Sequence, residues 1–368
     1  MKNHTVLLLG YGSIAKAHAY ALNALPFYYD DLQISAYCVA GRNASKASEF
    51  ARQYGFETFC KIEDISSLKQ IDTVFILGPN KVHIPHLKLA LAMDNVHKIY
   101  IEKPLFCSSS EERYVQELIS NQLSNQFSKV QIQIGFQFLQ SPPMRHLLQL
   151  LNNHDFGQLI HFRAQYLRSG YLDRKYRESR GDRLKPAPEG GAIADLGSHA
   201  FSLLIALLGD NLKILHTAQN QPFADVHPMS DLCSQITLQE QTSGAIGHVT
   251  ASRISAGADD ILEVELHFHK AALRFSSTQA DTLHICSPDS NNQWTTIHCG
   301  NDYAPHSQFP QKGIASGWLR ALVHAHFIFF TQADEDAFIP DLAHGLNVQR
   351  LIHSATKQLQ KNTQGVNT

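Results

Sequence analysis

A short apolar run, Thr5 to Leu9, leads directly into Gly10-Tyr11-Gly12-Ser13-Ile14-Ala15, and a helical pattern from Ala15 to Leu25 follows. No other stretch of the 368 residues limits the fold as tightly. An unbroken β-type run reads as a strand buried on both faces of a parallel sheet. The spacing is G-x-G-x-x-A, with Ala15 still small enough for close helix–strand packing. Gly10 makes the tight turn, and Gly12 lets the backbone around Tyr11, Ser13 and Ile14 approach a pyrophosphate at the helix N-terminus.

The next strand pattern, Leu32 to Ala40, ends in Gly41-Arg42-Asn43-Ala44-Ser45-Lys46. An NAD-selective site places Asp or Glu at this point for the ribose hydroxyls. Here Asp30 and Asp31 lie at the wrong end of the strand, and Arg42 offers a planar guanidinium to a 2′-phosphate. NADP is therefore favoured over NAD, with Arg42 and Asn43 at the adenosine end; the alternative is that Arg42 stacks on adenine and accepts both. Thr73 to Leu77 is a further apolar strand, followed by Gly78-Pro79-Asn80-Lys81-Val82-His83. Val96 to Ile101 then delivers Glu102-Lys103-Pro104, where the proline ends the strand. Strands alternating with helices specify a doubly wound parallel sheet, here a dinucleotide-binding domain over residues 1–138. In such a sheet Pro79, Asn80, His83, Glu102 and Lys103 fall on loops at the carboxyl edge, where ligands bind.

Composition excludes several function classes. The formal net charge of −2 provides no electrostatic case for nucleic acid or an anionic membrane. No apolar run reaches the ~20 residues of a transmembrane helix. The six cysteines are scattered without a Cys-x-x-Cys pair, which points to a reducing cytoplasm rather than a disulfide scaffold or zinc ribbon. The 21 histidines include His83/His86 and His267/His269 at face-sharing spacings, but neither pair has an acidic or cysteine partner at ligand spacing, so no metal is expected.

The pattern changes near Ser141-Pro142-Pro143, and residues 139–368 form an α+β domain. An irregular charged segment, Arg168 to Gly191, carries Arg183, Lys185 and Glu189; it is either a solvated loop or a rim suited to a phosphate or carboxylate. Gly190-Gly191-Ala192-Ile193-Ala194-Asp195-Leu196-Gly197-Ser198-His199 opens the apolar helix Ala200 to Leu208. Asp195 and His199, four apart, would project from one helix face. Seven strand patterns between Lys213 and His298, several alternating, indicate a large, mostly antiparallel open sheet. Helices over 317–330 and 342–359 close the chain.

The glycine motif, Pro79-Asn80-x-x-His83, Glu102-Lys103-Pro104 and Asp195-x-x-x-His199 occur in an order and spacing that resembles the glucose–fructose oxidoreductase / inositol dehydrogenase / rhizopine-catabolism (Gfo/Idh/MocA) family. The resemblance spans nearly the whole chain. It implies a Rossmann domain plus a sheet-bearing substrate domain, often with a cis bond before the proline. It also implies Lys103 beside the nicotinamide and the reacting oxygen, and Glu102 near the nicotinamide ribose. The activity implied is hydride transfer between a nicotinamide cofactor and a secondary hydroxyl or ketone on a sugar, cyclitol or related derivative. His199 would be the general acid/base, Lys103 would stabilise alkoxide charge, Asp195 would orient His199 or bind an adjacent hydroxyl, and Lys185 would contact substrate. A homodimer or homotetramer through the C-terminal sheet is also implied. Two departures bear on the substrate: Phe138-Leu139-Gln140 stands where the family often has an arginine, and the loop Tyr171 to Pro188 lacks a Trp-Arg pair. The alternatives are a nicotinamide-dependent glycosidase, a cofactor-sensing regulator that does not turn over, and a dihydrodiol- or bilin-type reductase.

Overall fold

The alternation of buried strands and helices builds a parallel sheet in the computed structural model, which describes residues 2–30, 32–123, 130–186, 190–287, 291–300, 302–303, 309, 317–333 and 337–365. In chain order the elements are β1 (Lys2–Leu9), α1 (Ser13–Tyr28), β2 (Leu32–Gly41), α2 (Ala44–Tyr54), β3 (Thr58–Lys61), β4 (Thr73–Ile76), α3 (His83–Leu91), β5 (Lys98–Ile101), α4 (Ser109–Leu123) and β6 (Gln131–Ile134). The strand order is β3-β2-β1-β4-β5-β6, and each neighbouring pair is parallel. This is the doubly wound dinucleotide-binding order, whose direction reverses between β1 and β4. Val6 to Leu9 and Val74 to Ile76 are wholly buried, because helices cover both sheet faces.

A second unit begins with α5 (Pro142–Asn153), whose proline start follows an extended Ser141. It continues through β7 (Leu159–Leu167), α6 (Arg174–Ser179), α7 (Ser198–Leu208), β8 (Leu212–Asn220), β9 (Cys233–Glu240), β10 (Ile246–Ser252), β11 (Ile261–Phe268), β12 (Ala272–Ser276), β13 (Thr282–Cys286) and β14 (Trp294–His298). The eight-stranded order is β14-β13-β12-β11-β7-β10-β9-β8. Only the β7–β10 pair is parallel, so the sheet is mixed and mostly antiparallel, as its alternating sequence requires. The segment expected to be irregular contains α6, started by Asp173, whose carboxylate accepts from the amides of Lys175 and Tyr176.

The division at 138/139 needs a correction. The units are Met1–Gln140 with Asn301–Leu346, and Ser141–Gly300 with Asn347–Thr368. The chain therefore returns to the first unit through α8 (Gly317–Thr331) and leaves it again within α9 (Leu342–Gly365). The cause is packing: Phe329 of α8 meets Phe75 and Tyr100 edge-on at 5.6 and 5.5 Å, and its carbonyl accepts from Lys98 Nζ at 3.0 Å. An apolar periodicity identifies a buried helix but not the core that buries it. Phe329→Ala should cost about 3–5 kcal/mol in denaturant unfolding, typical of a fully buried aromatic. A loss below about 1 kcal/mol would contradict this packing.

Candidate functional site

In the first unit three loops leave the carboxyl ends of adjacent parallel strands, and each carries part of the expected site. After β1, Gly10 has φ +125°, and a Cβ there would lie 3.0 Å from the Leu77 carbonyl, so glycine is required by the fold. Gly12 differs. Its φ of −75° suits any residue, and a Cβ would meet nothing within 4 Å. The space beside Gly12 is open, and no side chain caps the helix that begins at Ser13 and Ile14. Uncapped first-turn amides at an open helix N-terminus fit a pyrophosphate. The Tyr11 ring covers Gly41, where a Cβ would overlap Tyr11 Cε1. Arg42 lines an open groove of about 610 Å³ with Phe59, Cys60, Lys61, Glu63 and Asp64. The Asn43 side chain, expected at the cofactor, caps α2 instead by accepting from the Lys46 amide at 3.1 Å.

After β4, the exposed Pro79 leads into a 3₁₀ turn, Asn80–Val82, with Asn80 half-buried. His83, read from the sequence as a cofactor contact, is completely buried. Its Nδ1 lies 2.8 Å from the Pro104 carbonyl and its Nε2 2.9 Å from the Gly78 carbonyl. Both ring nitrogens are thus spent on backbone. Burial lowers the His83 pKa, while the two carbonyls act in the opposite sense. The residue ties the β4 loop to the β5 loop rather than facing a ligand. After β5, the Lys103–Pro104 bond is cis, Lys103 is half-buried, and Glu102 is 6% exposed. One Glu102 oxygen sits 2.9 Å from His18 Nε2, a contact the sequence reading missed; the only signal was a histidine on the apolar helix after the glycine motif.

In the second unit the Asp195-x-x-x-His199 motif is not on a plain α-helix. Ile193–Gly197 forms a π-helical turn that runs into α7 at Ser198, so Asp195 lies in the wider turn and His199 in the narrower one. Such turns favour functional positions because they re-aim side chains. The Asp195 carboxylate accepts from Arg183 on Oδ1 and from Arg253 on Oδ2, the latter at 2.9 Å. Arg253 is 1% exposed and also donates to the Arg183 carbonyl at 2.5 Å. An arginine closing the apolar strand β10 was its one sequence trace. The pairing with Asp195 raises the Arg183 pKa further. His199 is buried and meets Tyr166 edge-on at 5.5 Å, while the Tyr166 hydroxyl donates to Asp260 at 3.0 Å. Burial raises the Tyr166 pKa, keeping that hydroxyl protonated.

The turn entering this motif is held by a residue absent from the sequence reading. Asp231 is fully buried; its Oδ2 accepts from the Ile193 amide at 2.6 Å and the Ser234 hydroxyl at 3.1 Å. Its Oδ1 occupies the space a Cβ on Gly191 would need, and Gly191 has φ +85°. Burial pushes the Asp231 pKa up to about 6. Lys185 is half-buried, and its backbone packs against Gly190. Several arginines of the charged segment are paired internally: Arg168 with Asp260, Arg174 with Glu178, Arg177 with Asp225 and Arg183 with Asp195. Glu189 lies outside the described residues. No described helix is long and apolar enough to cross a membrane.

Comparison with known proteins gives a consistent assignment. A model described as "Oxidoreductase family, NAD-binding Rossmann fold" matches residues 4–126, and one described as "GFO/IDH/MocA C-terminal domain" matches residues 144–274. The chain is 23% identical to a levoglucosan dehydrogenase from Pseudarthrobacter phenanthrenivorans over 97% of each chain. It is 24% identical to an NAD⁺-dependent scyllo-inositol 2-dehydrogenase from Bacillus subtilis over 61% of each. A solved levoglucosan dehydrogenase in complex with NADH and levoglucosan superimposes with a TM-score of 0.82 at 22% identity, covering 97% of this chain and 98% of that one. An inositol dehydrogenase homologue from Azotobacter vinelandii complexed with NAD⁺ superimposes at 0.80 with 14% identity, over 98% and 96%.

The buried Asp231 sets a pH test. Its folded pKa lies above the ~4 of an unfolded Asp, so the native state binds this proton more tightly and loses stability as pH rises from ~4 through about 6. The full shift corresponds to roughly 3 kcal/mol. Asp231→Asn should remove this contribution, so wild type should gain on the variant as pH falls from 7.5 to 4.5 in denaturant unfolding. A constant difference between them would contradict the assignment.

Proposed function

The chain belongs to the GFO/IDH/MocA family of nicotinamide-dependent oxidoreductases, and from that membership we propose that it interconverts a secondary hydroxyl and a ketone on a sugar, cyclitol or close derivative by hydride transfer. The observation that carries this reading is the placement of Lys103, half-buried at the carboxyl end of β5, on the same edge of the parallel sheet as the open glycine loop of β1, with β4 between them. The nicotinamide group supplies hydride acceptance and return when bound. The first-turn amides after Gly12 hold the pyrophosphate, and Lys103 donates a hydrogen bond to the reacting oxygen and stabilises alkoxide charge. His199 moves the hydroxyl proton. Asp195, held by Arg183 and Arg253, serves in this reading as a fixed carboxylate for a neighbouring hydroxyl rather than as a base. Lys185 borders the same motif and contacts substrate. The internal pairing of Arg168, Arg174, Arg177 and Arg183 favours a neutral polyol over a phosphorylated sugar.

NADP is the preferred cofactor in this proposal, because Arg42, not an acid, stands at the β2 end, although the groove it lines holds Glu63 and Asp64 as well as Lys61. The NADH- and NAD⁺-bound relatives favour the second reading, NAD, and titration decides between them. The expected homodimer or homotetramer and cytoplasmic location belong to this proposal as well.

Two measurements test it. Lys103→Met should lower kcat on an active neutral sugar by about 10³-fold or more, as loss of an electrostatic stabiliser does, with cofactor Kd changed less than about threefold; comparable losses in both would remove Lys103 from the chemistry. Wild type should bind NADPH more tightly than NADH by fluorescence titration. Arg42→Ala should erase that preference, at a cost of about tenfold or more in NADPH affinity for a lost charge-assisted contact. Tighter NADH binding by wild type would overturn the NADP assignment.

A further inference from the structure

Beneath Glu102 lie two buried histidines that the proposed chemistry does not use, joined to its carboxylate in one hydrogen-bonded chain. His326 Nε2 sits 2.8 Å from His18 Nδ1, and His18 Nε2 sits 2.9 Å from Glu102 Oε1. Both histidines are fully buried. Their rings stack at 5.0 Å with an interplanar angle of 16°, and Phe75 and Tyr100 meet both edge-on. On the far side Gly135 closes the pocket, since a Cβ there would come within 2.8 Å of Glu102 Oε1. The carboxylate is thus enclosed by a ring donor and a glycine backbone.

The hydrogen-bond polarity of this chain is constrained. Burial pushes the His326 pKa well down, leaving a neutral ring with a single N–H. Among the described residues His326 Nδ1 has no hydrogen-bond partner. An unpaired buried N–H there would be costly, so the proton belongs on Nε2, which donates to His18 Nδ1. His18 then carries its own proton on Nε2 and donates it to Glu102.

We propose that His18 and His326 are positioning residues, which aim the Glu102 carboxylate and through it the adjacent Lys103. The inference rests on the reading of Glu102-Lys103 as the nicotinamide end of the site. His18 lies in α1, the helix whose first turn faces the pyrophosphate position, and His326 lies in α8. One hydrogen-bonded chain therefore joins the phosphate helix, the lysine loop and a segment 308 residues away.

The test uses amide side chains that mimic one ring nitrogen each. His18→Gln places an N–H where Nε2 stood, whereas His18→Asn places one where Nδ1 stood. Gln should retain cofactor affinity and kcat within about threefold. Asn should raise the Kd for NADPH and NADH about tenfold or more and lower kcat by a similar factor, leaving the sugar KM unchanged. His326→Gln and His326→Leu repeat the contrast from the other end, with Gln retaining function and Leu losing it by a smaller factor than His18→Asn, and remain informative if an His18 variant does not fold. A purely structural role would lower Tm alike in both members of each pair without separating them in Kd or kcat, and that result overturns the proposal. If wild type binds neither dinucleotide, the functional reading fails first; if it binds and Gln and Asn behave alike, only this inference fails.

Discussion

The geometry of this protein's cofactor unit turns on how the Glu102-Lys103-Pro104 loop is held. A strand end is a poor place to fix a lysine, because the chain leaves the sheet and loses its ladder hydrogen bonds there. Two histidines replace those bonds. His83 bridges the Pro104 and Gly78 carbonyls, joining the loops after β5 and β4, and His18 holds the Glu102 carboxylate against α1. Buried polar groups of this kind are worth little in net stability, but each unpaired atom would be expensive. Their effect is to select one loop arrangement out of many, as the role proposed for Lys103 at a reacting oxygen requires.

The second unit solves the same problem with different side chains. Asp231 caps the turn at Ile193, Gly191 leaves room for that carboxylate, and Arg253 fixes Asp195 from the end of β10. The Asp195-x-x-x-His199 spacing suggests an α-helical face. The π-helical turn changes that face, and the carboxylate is directed to two arginines. In both units a buried polar scaffold aims the groups proposed for chemistry, and the scaffold residues come from distant parts of the chain.

That distance explains what the sequence could disclose. Gly10 was legible because its backbone angle is a local demand, and the β1 and β4 runs because burial on both faces leaves no polar positions. The parallel sheet and the open antiparallel sheet followed from the same periodicities. His83 was legible as important but misread as a ligand contact, since nothing local tells whether a ring nitrogen meets a cofactor or a carbonyl. His326, Arg253 and Asp231 were not legible, because each acts on a partner between 38 and 308 residues away. The return of α8 to the first unit was hidden for the same reason, and with it the reach of the C-terminal third into the cofactor end.

The charged segment between Arg168 and Gly191 carries a related lesson. Its arginines looked available to an anion, but several are neutralised by Asp195, Asp225, Asp260 and Glu178. This pairing is what supports the proposal of a neutral polyol substrate over a phosphorylated one. The most direct measurement is isotopic: wild-type protein, oxidised cofactor and a neutral sugar deuterated at the carbon to be oxidised, with both products followed by mass spectrometry. Net hydride transfer requires one deuterium on the reduced nicotinamide for each ketone formed. Turnover that returns the label to sugar product with no net cofactor reduction would contradict the account and identify a glycosidase that oxidises its substrate only in passing.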